Sequence, residues 1–257
     1  MALPHPVHFV GAGPGDPELI TVKGRRLLME ADLVVYAGSL VPRALVEGLP
    51  AELRNSAAMH LDEIVGVVAE AWRQGKKVVR LHTGDPAIYG AIREQMDALA
   101  RQGIPAVVVP GVSSVLAAAA ALRAELTLPE VSQTVIITRR AGRTPVPQGE
   151  SLISLAAHGA TMMILLSAAM IAEVVAELQA GGYPETTPVA VVEKASWAEE
   201  RIVRGTLADI AGKMQEAAIT RTAIIAVGRV FADQELEAVS RLYDPEFSHG
   251  AREAASE

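Results

Sequence analysis

Short, nearly continuous apolar runs alternate along this chain with longer stretches in which apolar residues recur every three or four positions. The short runs read as buried strands and the longer stretches as helices. Val7 to Val10, Ala31 to Tyr36, Lys76 to Leu81 and Ala106 to Val109 are the first four predicted strands. The helical period covers Glu18 to Glu30, Pro42 to Glu47, Leu61 to Gln74 and Ile88 to Arg101. Leu61 to Gln74 is the clearest, with Leu61, Ile64, Val65, Val68 and Trp72 on one face. This alternation is the pattern of a parallel sheet covered by helices. Pro110-Gly111-Val112-Ser113-Ser114 interrupts it and is read as the junction between two domains. Beyond the junction come a helix from Val115 to Leu122 and strands at Thr134 to Thr138, Thr161 to Leu166, Val189 to Glu193 and Ala223 to Val227. Helices are predicted at Gly149 to Ala157, Ala169 to Ala180 and Leu207 to Ala217. Arg201 to Thr206 alternates and is expected to pair back on Val189 to Glu193 as a hairpin. The expected architecture is α/β: one α/β domain over 1–111, a second over 112–245, and a polar, frayed tail over 246–257.

Composition narrows the function classes. With 257 residues, half of them hydrophobic, the chain can build two modest cores. The net charge of −7 and the absence of a basic block argue against nucleic acid as a partner. An acidic ligand would therefore need a local cluster of cations. There is no cysteine, which removes disulfides, zinc–thiolate sites and thiol catalysis. The apolar run from Gly111 to Leu122 is too short to span a bilayer, and the start Met1-Ala2-Leu3-Pro4-His5-Pro6 has no signal-peptide character. The expectation is a soluble cytoplasmic protein with no membrane partner.

Two loops hold the candidate chemistry. Thr83-Gly84-Asp85-Pro86-Ala87-Ile88-Tyr89-Gly90 follows a predicted strand, where open α/β sheets bind ligands. Gly84 permits close approach of a ligand to the backbone, Asp85 can cap a helix or accept from ligand hydroxyls, and Pro86 suits a first helical turn. Gly11-Ala12-Gly13-Pro14-Gly15-Asp16-Pro17 follows the first strand. It is not a dinucleotide fingerprint. Its third glycine comes one position early, no acid closes the second strand, and Pro14 and Pro17 remove backbone donors that a pyrophosphate needs. A compact ligand without phosphate fits better, which disfavours a nicotinamide oxidoreductase.

Taken in order, Val10-Gly11-Ala12-Gly13-Pro14-Gly15-Asp16-Pro17-Glu18-Leu19-Ile20-Thr21, then Gly84-Asp85-Pro86 with Tyr89-Gly90, then Val109-Pro110-Gly111-Val112-Ser113-Ser114, resemble the tetrapyrrole (corrin and porphyrin) methyltransferase family. The resemblance runs from about Val7 to Val230. Within the family the chain looks most like the members that methylate precorrin-4 at C11 in cobalamin biosynthesis. The segments that carry this are Met59-His60-Leu61-Asp62-Glu63, His82 to Ile92 and Gly142-Arg143-Thr144-Pro145-Val146-Pro147. The resemblance implies two α/β domains with S-adenosylmethionine in the cleft between them, S-adenosylhomocysteine as product, a tetrapyrrole substrate, no metal and a homodimer. By motif it implies cofactor contacts at Pro14, Thr83, Gly84, Asp85, Ile88, Ser113 and Ser114, with Leu166, Ala195, Thr222 and Ala223 added from the second half. Many relatives carry a further glycine where this chain has Thr83.

For catalysis the candidates are His82 and Tyr89. A satisfied polar residue at a strand end is the alternative for His82, and a packed ring with a solvated hydroxyl for Tyr89. His60 is a candidate substrate contact, or a local helix cap. Arg139, Arg140 and Arg143 form a three-arginine loop after a strand, suited to a carboxylate-rich ring or merely solvated. The expected reaction is methylation of precorrin-4 at C11, with the metal-free substrate preferred. The alternatives are cobalt-precorrin-4, another precorrin carbon, uroporphyrinogen III, or a tetrapyrrole carrier without activity.

Overall fold

A computed structural model describes residues 5–38 and 40–232, together with positions 240, 247, 248 and 250. The expected polar tail lies outside these residues except for three of those single positions. The chain divides into two compact units. One is Met1–Ala117 with Lys194–Glu199, and the other is Ala118–Glu193 with Glu200–Glu257. The first division thus falls inside a helix, a few residues beyond the junction expected at Gly111.

The first unit is built on five parallel strands: β1 (Val7–Gly11), β2 (Leu33–Tyr36), β3 (Glu52–Asn55), β4 (Val78–His82) and β5 (Ala106–Val109), in the order β3-β2-β4-β1-β5. Its helices are α1 (Val22–Met29), α2 (Arg43–Val46), α3 (Leu61–Arg73) and α4 (Ile92–Ala100). Alternate strand residues point to opposite faces, and both faces are covered. Val7, Phe9, Leu33, Val35 and Val78 pack with Ile64, Val65 and Val68 of α3 and Leu99 of α4. Val10, Val34, Val79, Leu81 and Val109 pack with Leu27 and Leu28 of α1 and Leu45 of α2. This two-sided burial is why the strands read as unbroken apolar runs. Each fully buried Leu or Phe contributes roughly 1.5–3 kcal/mol of transfer free energy.

Two helix starts in this unit differ from expectation by four residues. The stretch from Glu18 to Glu30 is a 3₁₀ turn, Pro17–Leu19, followed by α1. Thr21 separates them by taking an extended backbone and accepting from the Gly24 N–H at 3.0 Å, as an N-cap does. Helix α4 begins at Ile92, not Ile88, because Tyr89 and Ala91 have positive φ of 53° and 48°. Pro86 therefore precedes the helix by a full turn, and Asp85 does not cap it. Strand β3 was absent from the sequence reading. All four of its residues are exposed, so no apolar signal marks it.

The second unit has a mixed sheet ordered β6-β7-β10-β8-β9, formed by β6 (Val135–Arg139), β7 (Thr161–Leu165), β8 (Pro188–Glu193), β9 (Arg201–Thr206) and β10 (Ala223–Val227). Only β6 and β7 run parallel. The expected hairpin is present: β8 and β9 pair from Pro188 opposite Thr206 to Glu193 opposite Arg201. Helices α6 (Leu152–Ala156), α7 (Ile171–Ala180) and α8 (Ile210–Glu216) bury Leu152, Val174, Leu178, Ile210 and Met214 against Met162, Ile164, Val189, Val191, Ile225 and Val227. Helix α5 (Ser114–Leu122) contains the division between the units.

Candidate functional site

In the first unit the carboxyl ends of β4, β1 and β5 lie side by side, and the motif loops leave from that edge. Main-chain pairing continues past the strands. The Ala12 N–H donates to the His82 carbonyl at 2.6 Å, and Gly13 and Gly84 exchange bonds in both directions at 3.3 and 2.7 Å. The third loop joins them without any side chain. A Cβ on Gly11 would lie 2.6 Å from the Gly111 Cα, and one on Gly111 would lie 2.2 Å from the Gly84 carbonyl oxygen. Three backbones from three loops therefore meet where only glycine fits. Gly84 itself has φ of +59°, and a Cβ there would meet nothing nearer than the Ser114 nitrogen at 3.6 Å, so its need for glycine is conformational.

Asp85 locks this junction. One carboxylate oxygen accepts from the Ala87 N–H at 2.8 Å, the other from the Gly111 N–H at 2.9 Å. Each oxygen keeps a lone pair for a ligand hydroxyl. The Ser113 hydroxyl accepts from the Val115 N–H at 3.2 Å as α5 begins. Pro14 is buried, and its carbonyl accepts from the Trp197 indole N–H at 2.9 Å. Ala195 is buried within the same short segment, where the Ser196 hydroxyl accepts from the Asp16 N–H at 3.0 Å. A Cβ on Gly15 would fall 2.1 Å from the Trp197 ring. The structure thus brings together Pro14, Thr83, Gly84, Asp85, Ser113, Ser114 and Ala195 within one unit. Ile88 lies in the turn that follows.

His82, at the end of β4, is 6% exposed and stacks on Phe9 with ring centroids 5.8 Å apart. Its Nε2 is buried and has no hydrogen-bond partner. Burial first, and the nearby Arg80 charge second, push its pKa down to about 3, so the imidazole is neutral at physiological pH. Tyr89 is half exposed on the left-handed turn. His60 caps α3 locally: its main-chain N–H donates to Glu63 at 2.9 Å, and its exposed ring lies 3.6 Å from the same carboxylate.

In the second unit, strand register places the end of β6, Leu166, Thr222–Ala223 and the end of β8 along one sheet edge. Leu166 and Thr222 both have positive φ, 55° and 53°, and Leu166 is 67% exposed. Two of the three arginines are committed internally. Arg139 donates to the Thr144 and Pro145 carbonyls at 3.1 and 2.7 Å and folds its own loop. Arg140 is paired with Glu177 at 2.8 Å. Arg143 is exposed and makes no hydrogen bond or ion pair among the described residues.

Sequence reasoning passed over Gly11 as a packing position, and also Trp197, Arg80 and Gln95. A lone Trp in a polar segment was a signal for Trp197, and an Arg inside an apolar strand run was one for Arg80.

The motif loops of the first unit carry two aspartates and no Lys or Arg over 11–17, 83–90 and 110–114. Backbone carbonyls, small side chains and carboxylates suit a cationic ligand such as a sulfonium, and they offer no cation for a phosphate. These residues fit S-adenosylmethionine in the chemistry of what they present.

Comparison with known proteins gives the same direction. The model of the tetrapyrrole (corrin/porphyrin) methylases matches residues 6–211. A cobalt-precorrin-4 C11-methyltransferase of Methanocaldococcus jannaschii is 58% identical over 250 residues, 96% of each chain. A precorrin-4 C11-methyltransferase of Pseudomonas aeruginosa is 51% identical over 244 residues, 95% of this chain and 97% of its own. Among solved structures, a cobalt-precorrin-4 methyltransferase of cobalamin biosynthesis superposes with a TM-score of 0.87 at 48% identity, covering 90% of this chain and all of its own. A uroporphyrin-III C-methyltransferase of Thermus thermophilus, complexed with S-adenosylhomocysteine, gives a TM-score of 0.74 at 30% identity, with 91% and 98% covered.

Proposed function

The chain belongs to the tetrapyrrole (corrin/porphyrin) methylase family of S-adenosylmethionine-dependent methyltransferases, and on that premise we propose that it methylates C11 of a precorrin-4 macrocycle in cobalamin biosynthesis. The observation that carries this reading is the end-to-end match, at half identity or better, to relatives that act at C11. The metal-free ring is the substrate expected from the sequence. The cobalt-loaded ring is the second reading, favoured by the higher identity to the archaeal relative.

S-adenosylmethionine supplies an electrophilic methyl group on a sulfonium, which an electron-rich carbon displaces to leave S-adenosylhomocysteine. The protein's part is to bind and orient. Positioning of this kind supplies on the order of 7–11 kcal/mol of a barrier. The glycine junction of Gly11, Gly84 and Gly111 gives the donor a rigid backbone wall, and Asp85 is tied at both oxygens before any ligand arrives. In this reading the residues that contact the donor are Pro14, Thr83, Gly84, Asp85, Ile88, Ser113, Ser114 and Ala195, with Leu166, Thr222 and Ala223 carried over from the family resemblance. Arg143 serves the substrate carboxylates, because Arg139 and Arg140 already spend their guanidinium groups on the loop and on Glu177. His82 is neutral and its unpaired Nε2 is buried, so in this reading it acts as a hydrogen-bonding group and not as a charge. Tyr89 offers a phenol at the loop surface.

A homodimer in the cytoplasm belongs to the same proposal. Among the described residues no helix is long and apolar enough to cross a membrane. The deciding experiment incubates the purified chain with S-adenosylmethionine and either metal-free or cobalt-loaded precorrin-4, then locates the new methyl by NMR. Methylation at C11 with either ring is expected. A methyl at another carbon, or none with both rings, refutes the assignment. Sedimentation of the same preparation tests the dimer.

A further inference from the structure

The segment that follows the Thr83-Gly84-Asp85 loop adopts a backbone it would not choose. Tyr89 and Ala91 both have φ near +50°, a region disfavoured for residues with a Cβ. Gly90, between them, packs so tightly that a Cβ would lie 2.1 Å from the Pro86 carbonyl oxygen. Ala91 also stands at the N-cap of α4 with no side chain to cap it. Such conformations persist only where the surroundings over-determine them, and they cluster at ligand clamps.

What over-determines this one is a pair of buried polar side chains. Gln95, on the first turn of α4, is 6% exposed, and its amide nitrogen donates to the Ala91 carbonyl at 2.9 Å. Its amide oxygen accepts from the Arg80 Nε at 3.0 Å. Arg80 has only donors, so the amide's orientation is fixed: oxygen toward Arg80, nitrogen toward the turn. Arg80 is itself 5% exposed, on central strand β4, and is anchored by a bond from Nη1 to the Val35 carbonyl at 3.2 Å. It makes no ion pair among the described residues. A buried guanidinium without a carboxylate is a costly choice for a core, where apolar side chains of similar volume often serve stability as well or better. The turn connects back to the loop, since the Asp85 carbonyl accepts from the Ile88 N–H at 3.2 Å and Gly90 rests on Pro86.

We propose that Arg80 and Gln95 are positioning residues for the donor loop: together they pin the Ala91 carbonyl, hold the left-handed turn Tyr89–Gly90–Ala91, and so keep Thr83-Gly84-Asp85 in its binding conformation. This rests on the donor-site reading above. Neither side chain touches the ligand.

The test separates positioning from stability. S-adenosylhomocysteine is titrated calorimetrically into the full-length wild type, Gln95→Glu, Gln95→Leu and Val68→Ala, with thermal midpoints measured in parallel. Gln95→Glu keeps an acceptor for Arg80, and gives it a carboxylate, but removes the donor to Ala91. Its midpoint is expected at or above that of the wild type, while its dissociation constant rises about tenfold. Gln95→Leu loses both bonds and is expected to weaken in both measurements. Val68→Ala, in the core under α3, lowers the midpoint and leaves affinity unchanged. A stable Gln95→Glu that binds like the wild type overturns the inference, even if Gln95→Leu fails to fold. A wild type that binds no S-adenosylhomocysteine overturns the donor reading itself, an outcome distinct from the first.

Discussion

Adding one methyl group at Gly111 is the sharpest test of the glycine junction. A Cβ there would lie 2.2 Å from the Gly84 carbonyl oxygen, 2.7 Å from the Gly11 Cα and 3.0 Å from the Gly11 carbonyl carbon. All three obstacles are main-chain atoms at the ends of central strands, so no rotamer change relieves them. The loops must part by about 1 Å to reach ordinary contact distances, and overpacking of this kind costs roughly 1–3 kcal/mol. The movement also pulls the Gly111 N–H from Asp85, a 2.9 Å bond to a carboxylate of the class that contributes about 1.5–3 kcal/mol. Gly111→Ala is therefore expected to lose about 3 kcal/mol, a fall of roughly 6–12 °C in Tm for a protein of this size. Gly66→Ala is the control. That glycine lies within α3 with nothing near its missing Cβ, and alanine there is expected to stabilise by about 0.5–1 kcal/mol. Differential scanning calorimetry reads both changes, and titration with S-adenosylhomocysteine reads the consequence for binding. Gly111→Ala should bind at least tenfold more weakly, since Gly84 and Asp85 are the groups displaced. A Gly111→Ala variant with wild-type Tm and affinity would show that the three backbones do not meet as described.

Three further outcomes follow from named contacts. His82 titrates near 6.5 when unfolded and at about 3 when folded, so the unfolded chain binds the extra proton as pH falls between those values; stability should drop by up to about 2 kcal/mol from pH 7 to pH 5. His82→Phe, which can keep the stack on Phe9, should flatten that part of the curve, and parallel pH dependences in denaturant unfolding would contradict the assignment. Arg143→Glu should raise KM for the tetrapyrrole about tenfold without moving Tm, whereas Arg140→Glu should lower Tm by breaking the pair with Glu177; equal KM values for Arg143→Glu and wild type would remove Arg143 from the substrate site. Trp197→Phe loses the bond to the Pro14 carbonyl and should weaken S-adenosylhomocysteine binding severalfold, and an unchanged dissociation constant would leave Trp197 a packing residue.

How far these features could be read in advance depends on how local their causes are. Strands buried on both faces, such as β2 with Leu33, Val34 and Val35, announce themselves because successive positions are apolar whichever way they point. Strand β3 does not, since an exposed edge strand is held by main-chain bonds to β2 that any side chains permit. Thr21 marks the true start of α1 through a local cap, which was legible in the residue type. The start of α4 was not, because Tyr89 and Ala91 are left-handed against their own preference, and the groups that hold them belong to β4 and α4.

The same division runs through the site. Each glycine loop was visible as a type of turn, yet the reason Gly11 and Gly111 must be glycine lies in a contact between residues a hundred positions apart. That contact exists only because β1 sits between β4 and β5, an order that hydrophobic periodicity does not encode. Once the order is known, the spacing of parallel strands brings the exits of three loops within backbone reach, and side chains become an obstruction there. The residues that support the loops then have to come from beneath the edge. Arg80 does so from two residues before the end of β4, far enough back to be buried and near enough to reach the first turn of α4. An arginine in an apolar strand is thus a visible anomaly in the sequence, but its explanation waits on knowing which turn lies above it.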